Sequence, residues 1–299
     1  MIRLTHDQPL PEALRGSIVA LGNFDGFHLG HQAVVNRAIA LGFHERRSVI
    51  VATFDPHPVR FFKPDVPPFR LTSLDQRERL FAHAGADAML VFRFDAELAS
   101  MDADAFVAEI LARRLGVAGV VTGDVDLLRK LGEQHGVRAE AVAQVMIDGE
   151  RVSSGRIREA LAAGDPGTAT HLLTRPFAVE AVVERGDGRG HALGFPTANV
   201  SLGRYQRPAY GIYAVRVRLD DNSEHSGVAS FGVRPTFEEG EEYLETFIFD
   251  WEGDLYDRTI EIGLIAYLRP EAKFDSVEAL VEQMRKDEAE ARRLLAIAV

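Results

Sequence analysis

The apolar run Ile18-Val19-Ala20-Leu21 passes directly into Gly22-Asn23-Phe24-Asp25-Gly26-Phe27-His28-Leu29-Gly30-His31. The next apolar residues, Val34, Val35, Ala38 and Leu41, recur at helical spacing up to Gly42. A buried strand, a glycine turn and a helix stopped by a glycine make a βα unit. The glycines let the backbone turn tightly and approach a ligand. His28 and His31 then fall at a helix N-terminus, where amide N–H groups already favour an anion. The pattern predicts a phosphate site with two imidazoles as proton or hydrogen-bond donors. The plain alternative is a Gly-rich turn with two exposed histidines.

The unit recurs. Continuous apolar runs at 49–54, 88–92 and 117–121 alternate with helical periodicity at 31–41, 73–84 and 103–115. That alternation predicts a parallel sheet covered on both faces. Ligands of such sheets bind beyond the carboxyl ends of the strands, where the first glycine turn sits. Thr53-Phe54-Asp55-Pro56-His57-Pro58 follows the second run at the same edge, so Asp55 and His57 can face the ligand. Taken alone, this stretch reads as a rigid turn. Ser153-Ser154-Gly155-Arg156-Ile157-Arg158 opens a helix over 158–163 that Gly164 closes. Hydroxyls and guanidinium groups at a helix start suit a polyphosphate, with a simple serine N-cap as the alternative.

From about Arg175 the period changes to strand-like runs at 177–184, 211–219, 244–250 and 259–268, separated by Gly, Asp and Pro turns. Strands without intervening helices predict a small antiparallel barrel. A last helix is expected from Asp275, its cap, with Glu278 three later and Val277, Leu280, Val281 and Met284 buried. Inside this half lies Gly186-Asp187-Gly188-Arg189-Gly190-His191-Ala192-Leu193-Gly194-Phe195-Pro196-Thr197-Ala198-Asn199. Gly186, Gly188 and Gly190 permit close backbone approach to a phosphate. Thr197 and Asn199 share a face in an extended segment, and their oxygens suit Mg²⁺, which takes oxygen ligands and keeps waters for phosphates. A structural Gly-rich hairpin is the alternative. Glu245 shares strand parity with Phe247 and Phe249, a carboxylate on an aromatic face where desolvation would raise its pKa.

Composition bounds the class. The length of 299 residues fits two domains, and the net charge of −11 argues against a nucleic-acid partner. No apolar run reaches the roughly eighteen residues a membrane helix needs. The N-terminus lacks a signal-peptide pattern, and the absence of cysteine excludes disulfides and thiol chemistry. A cytoplasmic enzyme is expected.

The stretch at 22–31 resembles the Gly-x-Phe-Asp-x-x-His-x-Gly-His loop by which nucleotidyltransferases bind ATP, and 186–199 resembles the ATP–magnesium loop of riboflavin kinases. In this order the two resemble one family, the prokaryotic bifunctional riboflavin kinase/FMN adenylyltransferases, also called FAD synthetases. The resemblance implies a Rossmann-like α/β nucleotidyltransferase domain at 1–172 and a small antiparallel β-barrel riboflavin-kinase domain with a C-terminal helix at 173–299. It implies small-molecule substrates: ATP and riboflavin giving FMN, then ATP and FMN giving FAD. ATP would be bound by Gly22, Asn23, Phe24, Asp25, His28, Gly30, His31, Ser154 and Arg158 in the first reaction site, and by Gly186, Gly188, Gly190 and Thr197 in the second. Asp55, His57, Arg269 and Phe274 would lie beside the flavin. Thr197 and Asn199 would hold Mg²⁺. Glu245 would be the kinase base, with His28 and His31 stabilising phosphate charge during adenylyl transfer.

Four departures from the family pattern stand out. Gly155 replaces a threonine, Thr174 stands where glycine is frequent, and so does Asp257. After Val121 the family has a Gly-x-Asp-Phe-x-Phe-Gly loop, and here roughly ten residues of it are lacking. The shortened loop leaves open a riboflavin kinase with an impaired first domain. A non-catalytic flavin binder is a further alternative, one that would need neither the metal pair nor the base.

Overall fold

The computed structural model describes residues 1–123, 126–185, 195–233 and 242–297. They form two compact units, Met1–Pro67 with Ser73–Ser153, and Pro68–Thr72 with Ser154–Val299.

The first unit is built on six parallel strands, β1 (Ile2–Thr5), β2 (Ile18–Leu21), β3 (Val49–Asp55), β4 (Ala88–Arg93), β5 (Gly119–Thr122) and β6 (Arg138–Ala141), in the spatial order β1-β4-β3-β2-β5-β6. The helices are α1 (Leu29–Glu45), α2 (Pro58–Phe62), α3 (Leu74–Ala84), α4 (Ala96–Ser100), α5 (Ala103–Ala105, continuing as π-helical turns over Phe106–Arg114) and α6 (Asp126–His135). Side chains alternate across the sheet. Ile18, Ala20, Val51 and Met89 pack under Val34, Val35 and Ala38 of α1 and Phe81 of α3. Val19, Leu21, Ile50 and Leu90 pack on the other face against Val107, Ile110 and Leu111. Each Val, Leu, Ile, Phe or Met side chain so taken out of water contributes about 1.5–3 kcal/mol. A hairpin of β7 (Met146–Ile147) and β8 (Glu150–Arg151) follows, turning through Asp148 and Gly149 at positive φ.

Two sequence expectations need correction here. α1 does not stop at Gly42 but runs to Glu45, and Arg46 ends it at φ 55°. Gly42 serves packing instead, because a Cβ there would collide with Val49 and stand 2.8 Å from the Arg47 carbonyl. The strands β1 and β6 carry no long apolar run, since both lie at sheet edges and bury little.

The second unit begins with α7 (Ser154–Ala162) and α8 (Pro166–Leu173), which packs on β9 and β14 of its sheet. Six antiparallel strands follow: β9 (Phe177–Val182), β10 (Thr197–Ser201), β11 (Gly211–Arg218), β12 (Glu224–Val233), β13 (Glu242–Ile248) and β14 (Thr259–Arg269), ordered β10-β13-β12-β11-β14-β9. The sheet curls until its edges meet, where the Glu184 N–H donates to the Asn199 carbonyl at 2.8 Å. Tyr213, Val215, Phe231, Leu244, Ile262 and Leu264 fill the inside of the curl. β10 and β12 were not among the expected strands, because Thr, Asn, Ser and Gly dilute their apolar pattern.

The C-terminal helix α9 (Val277–Ile297) lies on the outer face of this sheet, over Ala214, Phe249 and Ala266. Its cap is Ser276 rather than Asp275, with the Ala279 N–H donating to Ser276 Oγ at 3.1 Å. Val277 is 56% exposed, and the residues the helix buries are Asp287, Ala291 and Leu295. Three arginines tie α9 down. Arg269 donates to both Asp287 oxygens at 2.9 and 2.7 Å, Arg292 to both Asp250 oxygens at 2.7 and 2.9 Å, and Arg216 to the Leu295 carbonyl at 2.7 Å.

Candidate functional sites

In the first unit, β2 runs toward β3 and β4 on one side and has β5 and β6 on the other, so the chain changes direction beside its carboxyl end. Open α/β sheets bind ligands at that crevice. The loop leaving β2 is held open by Phe24 at φ 49°, Gly26 at φ 88° and Phe27 at φ 43°. A positive φ on a phenylalanine is costly, and burial offsets the cost. Phe24 and Phe27 are buried and set edge-on against Phe81, with ring centroids 5.7 and 5.1 Å away.

His28 caps α1, its Nδ1 accepting the His31 N–H at 3.3 Å. That bond places the proton of a neutral imidazole on Nε2. The His28 and His31 rings stack at 3.7 Å with 15° between planes. Gly30 makes room for this stack, since a Cβ there would stand 3.2 Å from the His28 ring. His28 and Asp25 are only 5% and 4% exposed, which removes the alternative of two exposed histidines. Gly22 passes within 3.2 Å of the Phe24 ring, measured from where its Cβ would lie. Asn23 Oδ1 is buried with no hydrogen-bond partner among the described residues.

Two positioning residues escaped the sequence reading. Thr53, at the end of β3, donates to the Asn23 carbonyl at 2.7 Å. Arg77, only 4% exposed on α3, donates to the same carbonyl at 3.1 Å and to Thr53 Oγ1 at 2.8 Å. The available signal was a charged residue four before Phe81, at the core-facing spacing of that helix. Asp55 ends β3 at the same sheet edge, and His57 caps α2 by accepting the Val59 N–H at 3.2 Å. Ser154 begins α7 of the second unit. Arg158, one turn on, donates to the Phe69 carbonyl at 2.8 Å and covers the Phe69 ring. Gly186, Gly188 and Gly190 lie outside the described residues.

In the second unit, strand register assembles what the sequence separates. Asn199 pairs with Glu245, Glu245 with Ser230, Ser230 with Ile212 and Ile212 with Arg269, one row across five strands. The adjoining row runs Thr197, Phe247, Val228 and Ala214. A cavity of about 210 Å³ opens over these rows, between the sheet and α9. Thr197, Glu245, Arg269 and Phe274 line it, together with Glu271 and Asp287. Phe247 meets Phe195 at 5.1 Å and Phe249 at 5.7 Å, so the aromatic face expected around Glu245 is present. Arg269 is held by the buried Asp287 and lies 5.8 Å from the Phe274 ring. Burial raises the Glu271 carboxyl above the ordinary carboxylate range, Arg269 draws it down, and Glu245 adds to the rise.

A second cavity of about 610 Å³ lies by the other face of β10 and β13, lined by Val183, Pro196, Ala198, Thr246, Trp251 and Tyr256 among others. Thr197 lines both cavities. Thr246 is fully buried, and its Oγ1 has no hydrogen-bond partner among the described residues. Asn199 is 5% exposed, with its Nδ2 donating to the Thr197 carbonyl at 3.4 Å. Among the described residues there is no cluster of three His, Cys, Asp or Glu able to hold a metal, and no helix long and apolar enough to cross a membrane.

The two family departures at glycine positions leave a backbone mark. Thr174 and Asp257 both sit at φ 63°, the left-handed region that favours glycine.

Comparison with known proteins follows the same division. A family model described as FAD synthetase matches residues 10–156, and one described as riboflavin kinase matches 173–295. The bifunctional riboflavin kinase/FMN adenylyltransferase of Pseudomonas fluorescens is 40% identical over 298 residues, covering 94% of each chain. The proteins of the same description from Escherichia coli K12 and Listeria monocytogenes are 35% and 34% identical, covering 94% of both chains in the first case, and 93% of this chain and 92% of the other in the second. A crystal structure from Streptococcus pneumoniae, described as a macrolide-efflux protein, superposes with a TM-score of 0.87 at 28% identity, over 98% of this chain and 99% of that one. The two motifs, the two sheets and near full-length relatives at these identities agree: the chain belongs to the bifunctional riboflavin kinase/FMN adenylyltransferase (FAD synthetase) family.

Proposed function

We propose that the chain converts riboflavin and ATP to FMN and ADP in its riboflavin-kinase region, 173–299, and FMN and ATP to FAD and pyrophosphate in its adenylyltransferase region, 1–172. The observation that carries the kinase reading is Thr197, which lines two cavities at once. The cavity under α9 has aromatic walls and Glu245, suited to a flavin. The cavity across β10 has the unpartnered Thr246 hydroxyl and Trp251, suited to a nucleotide base. A phosphoryl group passing between them passes Thr197.

In this reading Glu245 accepts the proton of the riboflavin 5′-hydroxyl as that oxygen attacks the γ-phosphorus, and ADP leaves. Positioning and charge neutralisation carry most of such chemistry. Thr197 and Asn199 offer one hydroxyl and one amide oxygen, neutral donors that fit an ion whose charge is met mainly by phosphates. Mg²⁺ bound there would offset the phosphate charge. Arg269 and Phe274 border the ring.

In the first unit, the N-terminus of α1 faces the phosphates, with His28 and His31 stabilising their charge as the FMN phosphate attacks the α-phosphorus and pyrophosphate departs. The buried, unpartnered Asn23 Oδ1 supports a polar ligand at this loop. By the family resemblance Ser154 and Arg158 are assigned to ATP binding, as are Gly186, Gly188 and Gly190 for the kinase reaction. Asp55 and His57 lie at the flavin. Small-molecule substrates, no nucleic-acid or membrane partner, and a cytoplasmic location complete the reading.

One observation favours a kinase with a silent first unit: only residues 123–125 separate β5 from α6, where the family carries a longer loop. Incubation with riboflavin, excess ATP and Mg²⁺, followed by chromatography of the flavins, decides. FMN followed by FAD is expected. FMN accumulating alone would assign the shortened loop its cost, and absence of FMN would sink the kinase reading.

A further inference from the structure

The cavity under α9 holds a second carboxylate that the chemistry above leaves unused. Glu271 lies two residues beyond β14, on the segment leading to α9, and lines the cavity with Glu245. Its carboxylate rests directly on the backbone of β12, in space a Cβ at Gly232 would occupy. Ser230, two residues earlier on that strand, shares the cavity and pairs with Glu245. Glu271 and Glu245 therefore face one compartment, and the upward pull of Glu245 on the Glu271 carboxyl is the electrostatic sign of it.

Apart from Thr197, Ser230 and the Arg269–Asp287 ion pair, the rest of the lining is apolar, from Phe195, Val228 and Phe247 to Leu280 and Met284. An apolar wall suits an aromatic ring. A carboxylate pair suits hydroxyls, since an ionised carboxylate is acceptor-only and its two oxygens can serve neighbouring hydroxyls together. Asp287 is engaged by Arg269, and Glu245 alone cannot satisfy a polyol chain while it also serves the reacting terminal hydroxyl.

We propose that Glu271 is a specificity residue for the ribityl chain, its carboxylate accepting hydrogen bonds from the chain's inner hydroxyls; this rests on the kinase reading above. A site built to hydrogen-bond hydroxyls discriminates sharply against an analogue that lacks them. Lumiflavin is that analogue, the same ring with a methyl group in place of the ribityl chain.

The test compares the wild type with Glu271→Gln and Glu271→Ala. Fluorescence titration gives the Kd of riboflavin and of lumiflavin, and steady-state FMN formation gives KM and kcat. Loss of a charge-assisted hydrogen bond should raise the riboflavin Kd and KM about tenfold in Glu271→Ala. Glu271→Gln keeps an acceptor oxygen and should fall between. The lumiflavin Kd should stay within about twofold and kcat within about threefold. An unchanged riboflavin Kd in both variants overturns the proposal, as does lumiflavin binding that weakens in parallel, which would mark Glu271 as a wall of the cavity. A wild type that binds riboflavin but makes no FMN refutes the kinase reading instead, and the two titrations still read Glu271.

Discussion

The two units solve the problem of holding charged groups in opposite ways. The first concentrates them in one loop, residues 22–31, where backbone amides, a helix start and two stacked imidazoles are consecutive in the chain. The second distributes them along one row of a curled sheet, with Asn199, Glu245, Ser230 and Arg269 each on a different strand. A loop site depends on what clamps the loop. A row site depends on register, because a slip of one residue turns every side chain to the other face. Damage should therefore spread differently in the two halves.

The largest effect is expected from Glu245→Gln. General-base removal should lower kcat for FMN formation by about 10²–10⁴-fold, with FAD formation from supplied FMN nearly unchanged. A fall in both would break the separation of the two sites. His28→Ala should do the reverse, lowering FAD formation about 10²–10³-fold and sparing FMN formation, as measured by the two half-reactions separately.

Arg77→Met tests the clamp. It removes two buried hydrogen bonds from a charged donor, to the Asn23 carbonyl and Thr53 Oγ1, at about 1.5–3 kcal/mol each. FAD formation should fall about tenfold with a higher KM for ATP, and calorimetry should show only the first unit melting earlier. A joint shift of both units would show that the clamp does more than hold its loop.

The smallest effect is a gain. Thr174→Gly removes a β-branched residue from φ 63° and should stabilise the second unit by about 1 kcal/mol, read as a higher Tm with both activities kept. No gain would mean that the Thr174 Oγ1 bond to the Leu173 carbonyl at 2.6 Å already offsets the strain.

The same contrast governs what was legible in the sequence. The parallel sheet, the glycine loop and its two histidines at the helix start could be read because each is local: an apolar run, a glycine turn, a helical period. Thr197, Asn199 and Glu245 could be picked out individually, but their meeting in two adjoining rows depends on antiparallel pairings between residues far apart in the chain. Arg77 escaped because a buried arginine looks like a solvated one until its partners, a carbonyl and a hydroxyl on two other elements, are in place. The second cavity escaped because Thr246 reads as an ordinary strand residue. The C-terminal helix was placed correctly, yet its buried face was not, since Asp287 occupies a position that apolar patterning assigns to solvent.

The helix α9 roofs the cavity that Glu245 lines and is moored at three points along its length. Of these, the mooring to Asp287 is nearly shut off from water, where breaking an ion pair is expensive. Removing either partner would leave the other buried and uncompensated. The stretch between β14 and α9 carries Glu271 and Phe274 into the lining of the same cavity. Arg269 and Asp287 both line that cavity, so the ion pair that anchors the helix is also part of the cavity's wall.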